Sequence, residues 1–142
     1  IGADYLLIIG DGEEKKKLQK IINSLNCSNS IFLLGFQKNV YNYINNCHAL
    51  ISTAEYEDPG FSLIEAAYLK KKIITSLVDN GPRDMKKEGN LCYFFNFNSE
   101  NSFLKAIKSS KNNNITKIKN AQKYAKEFSI LSHNFNLQKI LD

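Results

Sequence analysis

Short apolar runs alternate with helical segments along this chain, and that alternation limits the fold more than any other feature of the sequence. Mostly apolar runs of four or five residues, each typical of a buried strand, lie at 5–9, 31–34, 49–52, 73–76 and 92–95. Segments with helical character follow them at 13–25, 40–47, 61–69, 80–87 and 99–109, with two more at 115–128 and 130–141. Strands that alternate with helices favour a parallel sheet with helices on both faces. We therefore predict an α/β fold.

Length and composition favour one globular domain over residues 1–142. A chain of 142 residues, 43% of them hydrophobic, can bury a core of its own. Its apolar runs are far shorter than the roughly 20 residues of a bilayer-spanning helix, and no signal peptide is recognisable. Because Met85 is the only methionine, we expect this domain to be a piece of a longer protein.

The cysteines and histidines do not form a set of metal ligands. Cys27, Cys47 and Cys92 are scattered without any Cys-x2-Cys spacing, which favours reduced, buried thiols in a cytosolic protein. His48 and His133 are isolated from other residue types that bind metals. We therefore expect no metal site.

Positive charge is concentrated in the second half of the chain, within a formal net charge of +5. A basic half favours either a solvated surface or contact with nucleic acid or anionic lipid. The basic stretches lack the interleaved aromatic residues of a single-strand nucleic-acid platform, so we expect no nucleic-acid partner. One predicted helix carries an apolar stripe, with lysines on its other faces. The stripe would either pack against the protein core or contact an anionic membrane surface. The stripe consists of Ile115, Ile118, Ala121, Ala125 and Phe128.

Several common nucleotide-binding and catalytic motifs are absent. Gly10-Asp-Gly12 follows a predicted strand, but position 15 is Lys instead of the third glycine of a dinucleotide-binding loop. The sequence contains neither a Gly-x4-Gly-Lys-Ser/Thr loop nor a Gly-x-Ser-x-Gly elbow. NAD binding, P-loop hydrolysis and Ser-His hydrolysis are therefore poorly supported.

Two carboxylates eight positions apart, Glu57 and Glu65, mark the most informative stretch. Pro59 and Gly60 interrupt the backbone after the first, and the apolar segment 61–69 carries the second as its only charge. No Lys or Arg lies three or four residues from Glu65, and burying a carboxylate without partners is costly. Two interpretations stay open: a hydroxyl-rich ligand at the N-terminal end of this helix, or a core glutamate satisfied by backbone or a distant lysine.

The Glu57-x7-Glu65 pattern, with Gly60 at its fourth position, resembles the donor-site motif of the family-4 glycosyltransferases. Stretches at 6–12, 32–36, 49–53 and 80–84 resemble the C-terminal domain of that family, in the same order. The resemblance implies the C-terminal half of a GT-B fold, with a Rossmann-like parallel sheet and helices on both faces. It also implies that the first strand-helix unit is missing and that the absent strand belongs in the middle of the sheet. We therefore expect marginal stability or self-association.

The resemblance also implies roles for individual residues. Glu57 corresponds to the catalytic-site residue that contacts the hydroxyls of the transferred sugar, and Glu65 to the residue that binds the ribose diol. Gly60, Phe61 and Ser62 would hold the sugar and diphosphate through backbone N–H groups at the helix N-terminus, where the helix dipole favours an anion.

Residues at two further places each have two possible roles. Gly35, Phe36 and Gln37 follow a predicted strand and by resemblance contact the base of the donor, whereas an ordinary strand-to-loop turn is the structural alternative. Arg83, the only Arg in the chain, would contact an anion or the acceptor, or pair on the surface with a neighbour such as Asp79.

The resemblance thus implies the donor half of a retaining, metal-independent glycosyltransferase without a cofactor. Its donor would be a UDP-, GDP- or ADP-sugar, from which a hexosyl or N-acetylhexosaminyl group passes to a polysaccharide or glycolipid in lipopolysaccharide or capsule biosynthesis. The saccharide or lipid-linked acceptor would bind through a missing N-terminal domain, so we expect the isolated fragment to be inactive. We expect a cytoplasmic protein, with peripheral contact to the inner face of the plasma membrane as an extension. The alternative is a non-catalytic nucleotide-sugar-binding or assembly domain on the same scaffold.

Overall fold

The computed structural model describes residues 5–129 of the chain. These residues divide into two compact units, with the boundary between Tyr43 and Ile44. The predicted helix at 130–141 and His133 lie outside the described residues. The single donor-binding domain over residues 1–142 stays a prediction.

The first unit is a small α/β element with two parallel strands. β1 (Leu6–Ile9) pairs with β2 (Ile31–Gly35), and α1 (Lys15–Ser24) connects them. A parallel pair needs such a crossover because both strands run in the same direction. α2 (Val40–Asn46) follows and contains the boundary between the units. The predicted strand-helix-strand order is confirmed.

The apolar side chains of the first unit remain largely exposed. Ile22 is buried on α1, whereas Leu18 and Ile21 are exposed and Leu25, just after the helix, is 64% exposed. In β1, Leu6 and Leu7 are exposed as well. A two-stranded ladder presents too little surface to cover an apolar helix stripe, which is why isolated pairs of strands are marginally stable.

The second unit continues the alternation with a three-stranded parallel sheet in the order β3-β4-β5. Its elements are β3 (Ala49–Ser52), α3 (Phe61–Tyr68), β4 (Lys72–Ser76), α4 (Gly81–Lys87), β5 (Tyr93–Phe95), α5 (Glu100–Ser110) and α6 (Ile115–Lys126). Side-chain caps define the starts of the last two helices, because Ser99 accepts a hydrogen bond from the backbone N–H of Ser102 and Asn114 from that of Lys117. The predicted elements are confirmed here too.

The central strand β4 shows that both faces of this sheet are covered. Ile73, Ile74, Thr75 and Ser76 are all buried although successive side chains of a strand point to opposite faces. On one face Ile74 packs in a cluster with Phe95 and the helix residues Ala106 and Phe103. Helix α3 packs against β4 and α6. A strand that is buried on both faces is typical of parallel sheets in α/β proteins.

The predicted α/β class, with Rossmann-like parallel strands and helices, is confirmed, and its strands form two ladders. Within residues 5–129, β1 pairs only with β2, and β3 begins the second ladder without a pairing partner on its outer edge. Each ladder therefore leaves backbone N–H and C=O groups open along an edge strand.

Candidate functional site

The carboxyl ends of β3 and β4 carry the loops that form the candidate site. In open parallel sheets, ligands bind at this edge of the strands. The loop after β3 contains Glu57 and leads into α3, and the loop after β4 leads into α4. The two loops are tied near their origin, where the Ser76 hydroxyl donates a hydrogen bond of 2.5 Å to the carbonyl of Ala54.

Glu57 is half-buried and held by the end of β3. The hydroxyl of Ser52, the last residue of that strand, donates a hydrogen bond of 2.8 Å to Oε1 of Glu57. The other carboxylate oxygen, Oε2, lies 3.3 Å from the point where a Cβ atom on Gly60 would stand. The carboxylate therefore lies directly beside the residue that opens α3.

Gly60 is the N-cap of α3 and requires the absence of a side chain. Its φ of +81° is left-handed, a conformation that non-glycine residues rarely adopt. A Cβ atom there would also stand 3.1 Å from Cδ1 of Leu63. The carbonyl of Gly60 accepts from the N–H groups of Leu63 and Ile64, and no side chain caps the helix.

The open N-terminus of α3 is accessible. Phe61 is 67% exposed and Ser62 is exposed, whereas the N-cap residue Gly60 is buried. Along this helix Leu63, Ile64, Ala66 and Ala67 are buried, whereas Phe61, Ser62 and Tyr68 are exposed. The N-terminal end of a helix attracts anions through its free N–H groups and its dipole.

Glu65 lies on the exposed side of the same helix. It is half-buried, between the buried residues Ile64 and Ala66. Since residues three and four positions apart share a helix face, Glu65 stands on the face of Phe61 and Ser62. It also takes part in an interaction with the rest of the protein. The structure thus places both predicted carboxylates on the β3–α3 segment, Glu57 beside the helix start and Glu65 one turn further along.

The loop after β4 packs against the Glu57 loop with unusual closeness. A Cβ atom on Gly81 would stand 1.9 Å from the carbonyl oxygen of Pro59, so no other residue fits without a shift of the backbone. Glu57 and Asn80 form an isolated parallel β-bridge. Asn80 has a φ of 65° and a ψ of −124°, and such sparsely populated backbone conformations concentrate at functional sites.

Tyr56 adds a side-chain bridge between the same two loops. Its hydroxyl donates to Oδ2 of Asp58 over 3.1 Å and accepts from Nδ2 of Asn80 over 3.4 Å. The hydrogen bond to the Asp58 carboxylate raises the pKa of the Tyr56 phenol above its ordinary value. Tyr56 as a whole is 68% exposed.

Arg83 makes the surface ion pair that the sequence suggested. Its Nη2 lies 2.7 Å from Oδ1 of Asp79, and both side chains are more than half exposed. Exposed pairs of this kind contribute little stability, about 0–1 kcal/mol. The ion-pair prediction for Arg83 is confirmed.

Gly35, Phe36 and Gln37 belong to the first unit. Gly35 ends β2 with a left-handed φ of +67°, and its carbonyl accepts from the N–H of Gly10. The Gln37 side chain donates to the carbonyl of Leu34 and accepts from the Tyr43 hydroxyl, which fixes the turn. Phe36, in contrast, is 78% exposed, so its ring is the part of this turn that is open to a ligand.

The part of the chain that the structure describes has neither a cluster of metal ligands nor a bilayer-spanning helix. Between residues 5 and 129, no three His, Cys, Asp or Glu side chains are grouped as a metal site requires. In the same range, no helix combines the length and apolar character needed to cross a bilayer.

Sequence reasoning missed the residues that hold Glu57 in place. Ser52 ends a predicted strand, and its spacing from Glu57 does not indicate a contact between them. The contact depends on the path of the loop that joins the two residues, which no sequence pattern predicts. Asn80-Gly81 was visible as a turn signal, but its approach to Pro59 was not. A glycine after asparagine, beside a loop of candidate ligands, is the signal that could have indicated this close packing.

Comparison with known proteins gives consistent matches. The model of the family described as "Glycosyl transferases group 1" matches residues 5–128. An uncharacterised glycosyltransferase of Methanocaldococcus jannaschii is 38% identical over 80 residues, which cover 56% of this chain and 20% of the relative. The poly(ribitol-phosphate) alpha-N-acetylglucosaminyltransferase of Staphylococcus aureus is 27% identical over 108 residues, covering 76% of this chain and 22% of the relative. The chain therefore spans about a fifth of the length of these relatives.

A solved structure has a similar fold. The crystal structure of Anabaena Alr3699/HepE in complex with UDP superposes with a TM-score of 0.83 at 20% identity, over 97% of this chain and 40% of that one. At this identity the likeness supports the fold, a Rossmann-like α/β arrangement that occurs in glycosyltransferases.

Proposed function

The chain belongs to the group 1 glycosyltransferase family, and from this premise we propose that it is the donor-binding part of a retaining, family-4 enzyme. The substrate would be a nucleoside-diphosphate sugar with uridine, guanosine or adenosine as its base. The presence of UDP in the similarly folded Anabaena protein supports this class of ligand. The observation that carries the proposal is the Glu57 carboxylate held beside the open N-terminus of α3.

The elements of this site match the parts of such a donor. A diphosphate is an anion, and the backbone N–H groups of Phe61 and Ser62 lie at a helix N-terminus that favours anions. Glu65 offers two acceptor oxygens and no donor, which suits a ribose diol. Glu57, on the loop, would accept hydrogen bonds from the hydroxyls of the transferred sugar. Gly60 allows the donor to approach the backbone closely.

Catalysis at this site would be electrostatic. When the bond between sugar and diphosphate breaks, negative charge develops on the leaving diphosphate, and preorganised donors aimed at that charge stabilise the transition state. The N–H groups at the start of α3 would be such donors. We propose that the reaction needs no metal ion and that Glu57 contacts the reacting sugar, as a catalytic residue.

The base of the donor would lie against the turn of Gly35, Phe36 and Gln37 in the first unit. The exposed ring of Phe36 supplies a flat apolar surface for stacking, whereas the Gln37 side chain is already committed to its own turn. Arg83 pairs with Asp79, so an acceptor role would require exchange of that partner.

We propose that the acceptor binds mainly through a domain other than this one. We propose that the whole enzyme transfers a hexosyl or N-acetylhexosaminyl group to a saccharide or lipid-linked acceptor, in the formation of a surface polysaccharide, lipopolysaccharide or capsule. The N-acetylglucosaminyltransferase of Staphylococcus aureus, which covers most of this chain, supports that class of donor group. The enzyme would work in the cytoplasm, with peripheral contact to the inner face of the membrane, and this chain alone would transfer nothing.

Substitution of the two carboxylates in the intact protein tests the proposal. Glu57→Gln keeps the size of the side chain but removes its charge, and we expect transfer from a nucleotide sugar to fall by about a hundredfold or more. Glu65→Gln should instead weaken donor affinity. Glu55→Gln is the matched control, because Glu55 is an exposed residue of the same loop. Wild-type turnover that survives Glu57→Gln would refute the catalytic role, whereas donor binding without any turnover would favour a non-catalytic binding domain.

A further inference from the structure

Ser52 is the side chain that contacts Glu57 most directly. Its Oγ lies 2.8 Å from Oε1 of Glu57, and Ser52 is the last residue of β3. The same oxygen lies 3.5 Å from the backbone N of Ala54, which points its N–H at the hydroxyl. A hydroxyl that accepts on one side has its own hydrogen free to donate on the other. The Ser52 hydroxyl therefore donates its hydrogen to the Glu57 carboxylate.

The backbone of Glu57 is fixed separately. Its bridge to Asn80 and the close approach of Gly81 to the Pro59 carbonyl hold the main chain of the loop. These contacts leave the rotation of the Glu57 side chain undetermined, because three χ angles separate its carboxylate from the backbone. The hydrogen bond from Ser52 removes that freedom by engaging one carboxylate oxygen.

The hydrogen bond from Ser52 to Oε1 of Glu57 also fixes the position of Oε2. With Oε1 bound to Ser52, Oε2 stands beside Gly60, 3.3 Å from the position of the missing Cβ. A ligand that approaches the first turn of α3 therefore meets Oε2 as an acceptor.

We propose that Ser52 is a positioning residue that holds Glu57 in the rotamer in which Oε2 faces the sugar of the donor. The inference rests on the proposed function of Glu57. Ser52 acts through Glu57 and does not itself touch the substrate. Its loss should affect the transition state more than the binding of the donor, because an acceptor that is misplaced by about 1 Å loses its effect on the reacting group first.

The test compares Ser52→Ala, Ser52→Thr and Thr53→Ala in the intact protein. Ser52→Ala should lower kcat on the order of tenfold with a donor KM within about twofold of wild type, since hydrogen bonds to charged groups are the stronger ones. Ser52→Thr keeps the hydroxyl and suits a strand end, so it should recover most of the activity. Thr53→Ala removes an exposed neighbouring hydroxyl and should leave kcat unchanged.

A double-mutant cycle separates positioning from a general structural effect. In the Glu57→Gln background, Ser52→Ala should change the remaining activity by less than about twofold, because the group that it positions is already impaired. Equal effects in both backgrounds, or full kcat in Ser52→Ala, would overturn the inference. If Ser52→Ala lowers the Tm more than Thr53→Ala does, Ser52→Cys replaces it, with a weaker donor of similar size.

The outcomes distinguish this inference from the proposed function. If Glu57→Gln abolishes transfer while Ser52→Ala retains full activity, the role of Glu57 stands and the role of Ser52 is wrong. If Glu57→Gln retains wild-type transfer, the proposed function fails first, and the positioning inference fails with it.

Discussion

The two units of this protein share one α/β pattern but differ in how well they bury it. In the second unit, Leu63 and Thr75 are fully buried, and the central strand β4 is covered on both faces. In the first unit, Ile22 is the one buried large hydrophobic residue among those described, while Leu25 is 64% exposed. The difference follows from the size of the two sheets. The two-stranded ladder of the first unit covers less apolar helix surface than the three-stranded sheet and flanking helices of the second unit.

The difference also explains why the candidate site lies where it does. The Glu57 loop is held by contacts from β3, β4 and the Asn80-Gly81 turn, all within the well-packed unit. Precise placement of a functional group requires a rigid surrounding. The first unit offers the exposed ring of Phe36 on a locally fixed turn, which suits stacking on a base better than precise chemistry.

Truncation of one leucine in each unit should give the largest difference in the free energy of unfolding. Leu63→Ala deletes a side chain with 0% exposure and should lower the free energy of unfolding by about 2–5 kcal/mol, through lost burial and the cavity left behind. Leu25→Ala, the matched substitution in the first unit, should change it by less than about 0.5 kcal/mol. Denaturant unfolding of the intact protein measures both. Similar costs for the two substitutions would remove the basis of the comparison.

Matched glycine substitutions should differ nearly as much. Gly81→Ala places a methyl group 1.9 Å from the Pro59 carbonyl and should cost about 1–3 kcal/mol, with loss of donor binding as the Glu57 loop shifts. Gly12→Ala in the first unit meets no atom within 4 Å and should be close to neutral. Unfolding curves and donor titrations report the two effects. Unchanged donor affinity in Gly81→Ala would show that this contact does not shape the site.

The buried thiol of Cys92, in the well-packed second unit, should make stability depend on pH in the alkaline range. Burial raises the pKa of Cys92 from 9.0 to about 12. The unfolded thiol therefore ionises first, so between these values the unfolded state binds fewer protons and the free energy of unfolding falls as pH rises. Cys92→Ala should flatten this alkaline loss. The same alkaline slope in wild type and Cys92→Ala would contradict the assignment.

The smallest effect should be self-association through the open strand edges. β1 and β3 each leave one edge unpaired among residues 5–129, and apolar edges without charges favour pairing with another chain. A lysine at Leu7, which is exposed on β1, should shift a concentration-dependent equilibrium toward the monomer in analytical ultracentrifugation. A monomer at all concentrations before substitution would exclude such pairing.

Local patterns predicted most of the fold and part of the site. The strand at 49–52 was predicted with its observed bounds, because a short apolar run between loops is a short-range signal. The pair between Arg83 and Asp79 was also predictable, since four residues along a turn bring side chains together. Ser52 and Gly81 could not be assigned, because their contacts join loops whose paths depend on the whole sheet. The exposure of Phe61 on α3 and of Leu18 and Ile21 on α1 likewise depends on which surfaces the sheets can cover.

The most direct measurement of the central claim is the response of individual backbone amides to a nucleotide. Amide NMR spectra of the intact protein would be recorded during titration with UDP, GDP and ADP. At least one of them should shift the amides of Gly60, Phe61 and Ser62 with a common saturation curve, because a diphosphate at the N-terminus of α3 binds those N–H groups. Saturable shifts confined to other residues, with these three amides unmoved, would contradict the proposed donor site.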